Sequence, residues 1–298
     1  MKIYPLAIFS FNRPFHLKKT VEALLQNPEA GNLEVHVFSD AASNQKDAEA
    51  VQEVRDYLKK LRAFGKLSLH FAEKNKGLAQ SILEGVTSIL QDNDGIIVLE
   101  DDMEVQPFFL RYMTDGLNKY RDQVEVCSIH AYTYPIDRLP ETFFIKGADC
   151  WGWATWKRAW ELFTPDAVKL LEELKRRKLT REFDFNGNYP YTRMLERRVK
   201  GENQSWAVLW YASMFLQDKL TLYPNKSLLR NTGNDGSGTH SHATSVFDPV
   251  LADHIPVLTD EIRHSEKAYL AFAHFLGSAR RHAIRNKIAG WFGITLKT

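Results

Sequence analysis

The sequence predicts an α/β fold: a mixed, mainly parallel sheet flanked by helices, with a C-terminal helical appendage. Short apolar runs and helical stripes alternate through the first hundred residues, an order that builds a parallel sheet covered by helices. The last run of that series, Gly95-Ile96-Ile97-Val98-Leu99, is apolar without alternation, as a strand buried on both faces is.

The elements follow in order. Leu6 to Phe11 is a strand-like run that stops at Asn12-Arg13-Pro14, and Leu17, Val21, Leu24 and Leu25 then share a helical face. Leu33 to Phe38 reads as a strand ending at Ser39-Asp40, followed by the helical stripe Val51, Val54, Leu58, Leu61. Leu67 to Phe71 alternates like a strand, and Leu78, Ile82, Val86 and Ile89 make a third helix before the run at 95–99. Beyond residue 105 the pattern mixes. A helix is expected over Phe108 to Tyr120, strands over Val124 to Tyr132 and Thr142 to Lys146, and helix over Trp151 to Arg177, with a loop at 184–190. Residues 191 to 217 read as helical, Leu220 to Tyr223 as a short strand, Asn231 to Ser245 as a polar loop, and the chain from about Pro256 as helix again. No linker, repeat or low-complexity tract interrupts this, so the expected organisation is one domain over 1–255 and a helical appendage over 256–298.

Composition narrows the function classes. The 298 residues carry a net charge of +2, too balanced to make nucleic acid the main partner. Two cysteines, Cys127 and Cys150, are too few for a disulfide framework or a cysteine zinc site and are expected as buried thiols in a reducing compartment. The start, Met1 to Phe9, does not read as a secretion signal, and no stretch approaches the ~18 uninterrupted apolar residues of a membrane span. The expectation is a cytoplasmic protein.

The sharpest chemical feature is Glu100-Asp101-Asp102 at the end of the buried run. Ligands of open parallel sheets bind beyond the carboxyl ends of the strands. Acids gathered there suit Mg²⁺ or Mn²⁺, which in turn can hold a diphosphate. An acidic turn capping the next helix is the alternative.

Four segments stand in order at strand ends: Ser10-Phe11-Asn12-Arg13-Pro14, Ser39-Asp40, Asn75-Lys76-Gly77-Leu78-Ala79 and Glu100-Asp101-Asp102. Together they resemble the nucleotide-sugar half of GT-A-fold, Rossmann-like glycosyltransferases, most closely bacterial enzymes of the family 2 kind. More distantly the chain is similar to the animal N-acetylglucosaminyltransferase I, whose metal motif is likewise Glu-Asp-Asp. The resemblance runs from residue 3 to about residue 245. It implies Asn12 and Arg13 near the base or diphosphate and Asp40 accepting from a uracil ring. It implies Asn75 and Gly77 as the wall beside the nucleotide, Glu100 and Asp101 on the donor side, and Asp102 as the metal ligand. Trp151-Gly152-Trp153-Ala154-Thr155-Trp156 and Trp160 hold four of the seven tryptophans within ten residues, consistent with Trp153, Trp156 and Trp160 packing on one helical face. The resemblance implies that Asp149, Trp151 and Gly152 border the donor sugar or the acceptor.

Transfer with inversion needs a base for the acceptor hydroxyl proton. In the animal enzyme an acid directly follows a Trp; here Trp206 is followed by Ala207, so the candidates become Glu202 and Asp149. The resemblance implies a late His on the metal or diphosphate, and the Gly-rich loop from Asn231 offers His240 for it, with His242 two residues on as its substitute. From Lys267 onward the chain has six basic residues and no acids. Ile284, Ile288, Trp291 and Phe292 form an apolar face there, as in a helix that lies on an anionic membrane or docks on the domain.

The sequence thus predicts a metal-dependent hexosyl- or N-acetylhexosaminyltransferase. Its donor would be a nucleotide-diphosphate sugar, a UDP-sugar first. Its acceptor would be a glycan or lipid-linked glycan in bacterial surface polysaccharide synthesis, at the inner face of the cytoplasmic membrane. The rivals are a sugar nucleotidyltransferase, against which the glycine-free first loop counts, and a catalytically silent glycan- or membrane-binding protein, which Ala207 favours.

Overall fold

The structure, a computed structural model, describes residues 2–236 and 245–291. The first half is the parallel array the alternation predicts. Strands β1 (Leu6–Ser10), β2 (Glu34–Ser39), β3 (Lys66–Phe71) and β4 (Gly95–Glu100) are joined by α1 (Pro14–Leu24), α2 (Ala48–Lys60) and α3 (Gly77–Asp92). Every pairing among these four strands is parallel. β4 is buried from Gly95 to Leu99, so it reads as apolar on both faces.

The second half mixes strand directions. After the short β5 (Met103–Val105) come α4 (Phe109–Lys119), β6 (Val126–His130), β7 (Thr142–Lys146) and β8 (Trp153–Trp156). Then come α5 (Lys157–Trp160), α6 (Ala167–Arg176), α7 (Thr180–Phe183), α8 (Tyr191–Val199), α9 (Ala207–Leu216), β9 (Leu220–Pro224), β10 (Leu229–Asn231) and α10 (Glu266–Trp291). The eight-stranded sheet has the order β3-β2-β1-β4-β8-β6-β9-β7, and β10 pairs with β5 in a separate two-stranded ribbon. β8 runs antiparallel to both its neighbours, with Trp153 opposite Val98 of β4 and His130 of β6. The start of β8 therefore lies at the edge where β4 and β6 end, which brings residues 149–152 to the side of the sheet that carries Glu100–Asp102.

Four expectations are corrected here. Residues 151–177 are not one helix: Trp153 and Trp156 lie in a strand, so alternation sends Trp153 into one core with Trp160, Trp206 and Trp210 and Trp156 into the core on the opposite face. Residues 191–217 break into two helices around 200–206. Helix after Pro256 begins only at Glu266, once residues 256–265 have run along β7, where His264 bridges to Phe144. Only Cys127 is fully buried; Cys150 is partly exposed, and both thiols are free.

The early part of α10 is integral to the packing: Ala268, Tyr269, Phe272, Ala273 and Leu276 are buried in the core they share with α6, α8 and α9. No helix among the described residues is long and apolar enough to cross a membrane. His240, His242, Phe292 and the side chains of Ile284, Ile288 and Trp291 lie outside what the structure describes.

Candidate active site

The loops after β1, β2, β3 and β4 meet at one edge of the sheet. Arg13, at the mouth of α1, reaches across to the end of β4, where its guanidinium pairs with Asp101 and, at 2.9 Å, with Asp102 Oδ2. Asp101 is held from three sides: Phe11 N–H donates to its Oδ2 at 3.1 Å, Arg13 donates to Oδ1, and Thr20 Oγ1 donates to its backbone carbonyl at 2.9 Å. Asp102 is fixed through its backbone, whose carbonyl accepts from Thr232 N–H at 2.8 Å and Thr232 Oγ1 at 3.1 Å. A Cβ on Gly233 would collide with Asp102 Oδ2 and stand 2.9 Å from Arg13 Nη1, so the turn at Thr232–Asp235 closes directly over the ion pair.

Three carboxylates share one guanidinium here. Burial, with the charges of Asp102 and Asp101, pushes Glu100 up to about 8. Burial also pushes Asp101 up to about 6, against the pull of Arg13. Burial works against the charge on Arg13, but Asp101 and Asp102 hold its pKa above the ordinary value. The excess of negative charge invites a cation. Asp102 Oδ1 is buried with no hydrogen-bond partner among the described residues. Among those residues no three His, Cys, Asp or Glu side chains form a ready cage. One or two carboxylate oxygens are nevertheless the protein share that Mg²⁺ or Mn²⁺ takes when a phosphorylated ligand and water supply the rest. The residues present fit such an ion through Asp102 and, beside it, Glu100.

The predicted nucleotide wall is brought together, but by contacts to its own loops. Asp40 accepts backbone N–H groups of Ala41 (2.8 Å), Lys76 (2.9 Å) and Gly77 (2.8 Å), which ties the end of β2 to the start of α3. Asn75 Nδ2 donates to Ala41 O at 2.7 Å, and Asn12 Nδ2 donates to Asp47 Oδ1 at 2.8 Å. Gly77 sits at φ +75°, and a Cβ there would meet nothing closer than Gln204 Oε1 at 3.8 Å. Its glycine answers a left-handed backbone and not a packing limit.

The segment before β8 forms the other wall. Gly152 has φ +62°, and a Cβ on it would strike Leu229 Cδ2 of β10. Trp151 N–H donates to His130 Nε2 at 3.1 Å, so the imidazole proton is on Nδ1, and burial holds His130 below its ordinary pKa. Asp149 Oδ1 accepts from Cys150 N–H at 2.8 Å and lies 4.0 Å from His130 Nε2. Burial raises the Cys150 thiol well above its ordinary pKa, and Asp149, Glu100 and Asp102 add to the shift, so the charges of both sets of acids reach Cys150. Glu202 is placed apart from this: half exposed in the turn before α9, it pairs with Arg197 at 3.3 Å.

A glycosyltransferase family 2 model matches residues 6–197, almost two-thirds of the chain, including Arg13, Asp40, Asn75, Glu100–Asp102 and Asp149–Gly152. The chain belongs to glycosyltransferase family 2. Membership makes it a transferase with a nucleotide-sugar donor, and enzymes of this family commonly use divalent metals. No curated protein matches the chain. Among solved structures, a UDP-glucose pyrophosphorylase complexed with UDP-glucose is similar at 15% identity and a TM-score of 0.37, over 77% of this chain and 94% of that one.

Sequence reasoning missed His130 and the tyrosines around Asp149, taken up below. Tyr132-Thr133-Tyr134-Pro135 and Tyr189-Pro190-Tyr191 carried the signal, large rings beside prolines in segments read as strand ends or loops.

Proposed function

We propose that the protein transfers a sugar from a UDP-sugar to a hydroxyl of a glycan or lipid-linked glycan, with inversion at the anomeric carbon. The observation that carries this is the unpartnered Asp102 Oδ1 inside an acid cluster at the carboxyl ends of parallel strands. Asp102 would hold the divalent ion, which would supply charge to help the UDP leaving group depart. Arg13 keeps Asp101 and Asp102 in place and adds positive charge beside the diphosphate. Asp40, Asn12, Asn75 and Gly77 fix the loops that border the nucleotide, and Trp151 and Gly152 border the sugar.

The acceptor oxygen attacks the anomeric carbon as the bond to the diphosphate oxygen breaks, and its proton goes to a carboxylate. Asp149 is the better supported base: it is partly exposed and shares Cys150 with the acid cluster, whereas Glu202 is engaged by Arg197. The basic stretch from Lys267 supports a peripheral site at the inner membrane face for surface polysaccharide synthesis. Pelleting of the full chain with anionic but not neutral liposomes tests that part.

Calorimetry with UDP, with and without Mn²⁺, tests the donor site. Metal-dependent binding in the parent and its loss in Asp102→Ala are expected. Absence of UDP binding under either condition overturns the UDP assignment.

A further inference from the structure

A second group of side chains, outside the acid cluster, lies within reach of the charge of Asp149. Tyr134 follows β6, Tyr189 and Tyr191 flank Pro190 where α8 begins, and Tyr223 is in β9. Ring contacts tie Tyr134 to Trp151 through Tyr132, and Tyr189 and Tyr191 form a pair of their own. Trp151 and Tyr132 have centroids 4.8 Å apart, Tyr132 and Tyr134 5.6 Å, and Tyr189 and Tyr191 4.5 Å. Tyr223 reaches the same place through His130, at 5.1 Å.

Neighbouring tyrosines spend their hydroxyls on the fold: Tyr132 donates to Phe247 O at 2.7 Å and Tyr211 to Phe183 O at 3.0 Å. The hydroxyls of Tyr134, Tyr189, Tyr191 and Tyr223 bond to no described group, and none is among the sealed, unpartnered polar atoms. Each hydroxyl therefore keeps some accessible surface, although Tyr223 itself is buried. The loop that presents two of them is preformed. Phe185 and Asn186 take left-handed backbone at φ 48° and 58°, and Asp184 caps the turn by accepting from Thr192 N–H at 2.6 Å and, through its carbonyl, from Tyr189 N–H at 3.0 Å.

We propose that Tyr134, Tyr189, Tyr191 and Tyr223, grouped with Trp151 around Asp149, are the acceptor subsite, and that it takes an uncharged sugar ring. The inference rests on the transferase reading for its word "acceptor", but the sugar-binding claim stands on these residues. Aromatic faces pack on the apolar face of a sugar, while phenol and carboxylate oxygens bond its hydroxyls. The charge that acts on all four phenols is that of Asp149, which together with burial raises their pKa values. Among the described residues no cation acts on these phenols, so a uronate or phosphate would meet repulsion without a partner from them. A hydroxyl bonded to Asp149 would sit where that carboxylate can take its proton, with Cys150 as the only residue between Asp149 and Trp151.

Saturation-transfer NMR on the full chain tests this. The probes are methyl β-glucoside, methyl β-galactoside and methyl N-acetyl-β-glucosaminide, with methyl β-glucuronide as the charged counterpart. At least one neutral glycoside is expected to bind, and the glucuronide about tenfold more weakly or not at all. Tyr189→Phe with Tyr191→Phe keeps the rings and should weaken the neutral glycoside about fivefold; Tyr189→Ala should weaken it further. UDP calorimetry on the same variants serves as the folding control.

The proposal is overturned if no neutral glycoside binds, if the glucuronide binds equally well, or if both variants bind unchanged. Metal-dependent UDP binding without glycoside binding removes the subsite and leaves the donor reading standing. Tyrosine-dependent glycoside binding without UDP binding does the reverse.

Discussion

Asp101 and Asp102 are neighbours in sequence that share one guanidinium from a loop 88 residues away. Removing it leaves two mostly buried carboxylates unpaired, a change that typically costs about 3–5 kcal/mol. Arg13→Ala should lower stability by that order in urea at neutral pH. Arg13→Lys should recover little, because one ammonium does not reproduce a fork that reaches two carboxylates. Gly233→Ala acts on the same pair differently. Its methyl must displace Asp102 Oδ2, whose freedom Arg13 limits, so metal-dependent UDP binding should fall while the far-UV spectrum and urea midpoint change little. A large loss of stability without loss of UDP binding would contradict this. At this scale the acids were legible because three in a row at a strand end are rare. The roles of Asp40, Asn12 and Asn75 were half legible: the sequence located them at strand ends, but their bonds to the neighbouring loops depend on three connections meeting. The tyrosine-proline segments marked single residues, but His130 and the four tyrosines could not be grouped from sequence, since β6, the 184–190 loop and β9 come together only through the sheet order.

At the scale of elements, β8 decides how the two halves join. Trp153, Trp156 and Trp160 fall at helical spacing, yet four residues in a strand place Trp153 and Trp156 on opposite faces. The spacing was ambiguous because the strand is short and a helical turn, α5, follows it at once. Trp153 packs with Trp160, Trp206 and Trp210 at centroid distances of 5.9, 5.4 and 5.7 Å. Trp153→Ala should cost about 3–5 kcal/mol through the cavity it leaves. Because β8 also anchors the Asp149–Gly152 segment, UDP-sugar turnover should fall with it; equilibrium unfolding and turnover on one preparation check both. The β5–β10 ribbon was not legible for a simpler reason. Three residues per strand carry too little periodicity, and its purpose, to lay the Thr232 turn over Asp102, shows only once residues 103 and 231 are paired.

Across the whole molecule the parallel half of the sheet followed from the alternation of runs, because parallel strands need a helix between them and so leave a long-period record. The mixed half leaves no such regular record, and the sheet's two ends share a property no stretch of sequence displays. His36 and His70 sit at the β2–β3 edge, 3.1 Å apart through Nδ1 and Nε2, with His36 Nε2 3.2 Å from Glu34. His264 stands by β7 at the opposite edge, where its Nδ1 accepts from Lys146 N–H at 3.2 Å. His130 lies between them. Burial lowers all four below the ordinary imidazole value of 6.5, and His36 lowers His70 further. A depressed imidazole favours the neutral form in the fold, so the unfolded chain binds more protons below 6.5. Its contribution to stability is complete above 6.5 and is lost as pH falls through the folded-state value. For His130 and His264, protonation also removes the lone pair that accepts a backbone N–H at either end of the β7–β8 connection. His254 runs the other way: hydrogen bonds to Asp253 and Glu141 raise it, so His254→Gln should steepen the acid loss. Replacing His36 and His70 by Gln, and His264 by Gln separately, should each flatten the decline in Tm below pH 6.5 relative to the parent. Above that pH the difference from the parent should be constant. A parent-minus-variant difference that stays level through 6.5 in both cases would show that these imidazoles are not held neutral by the fold.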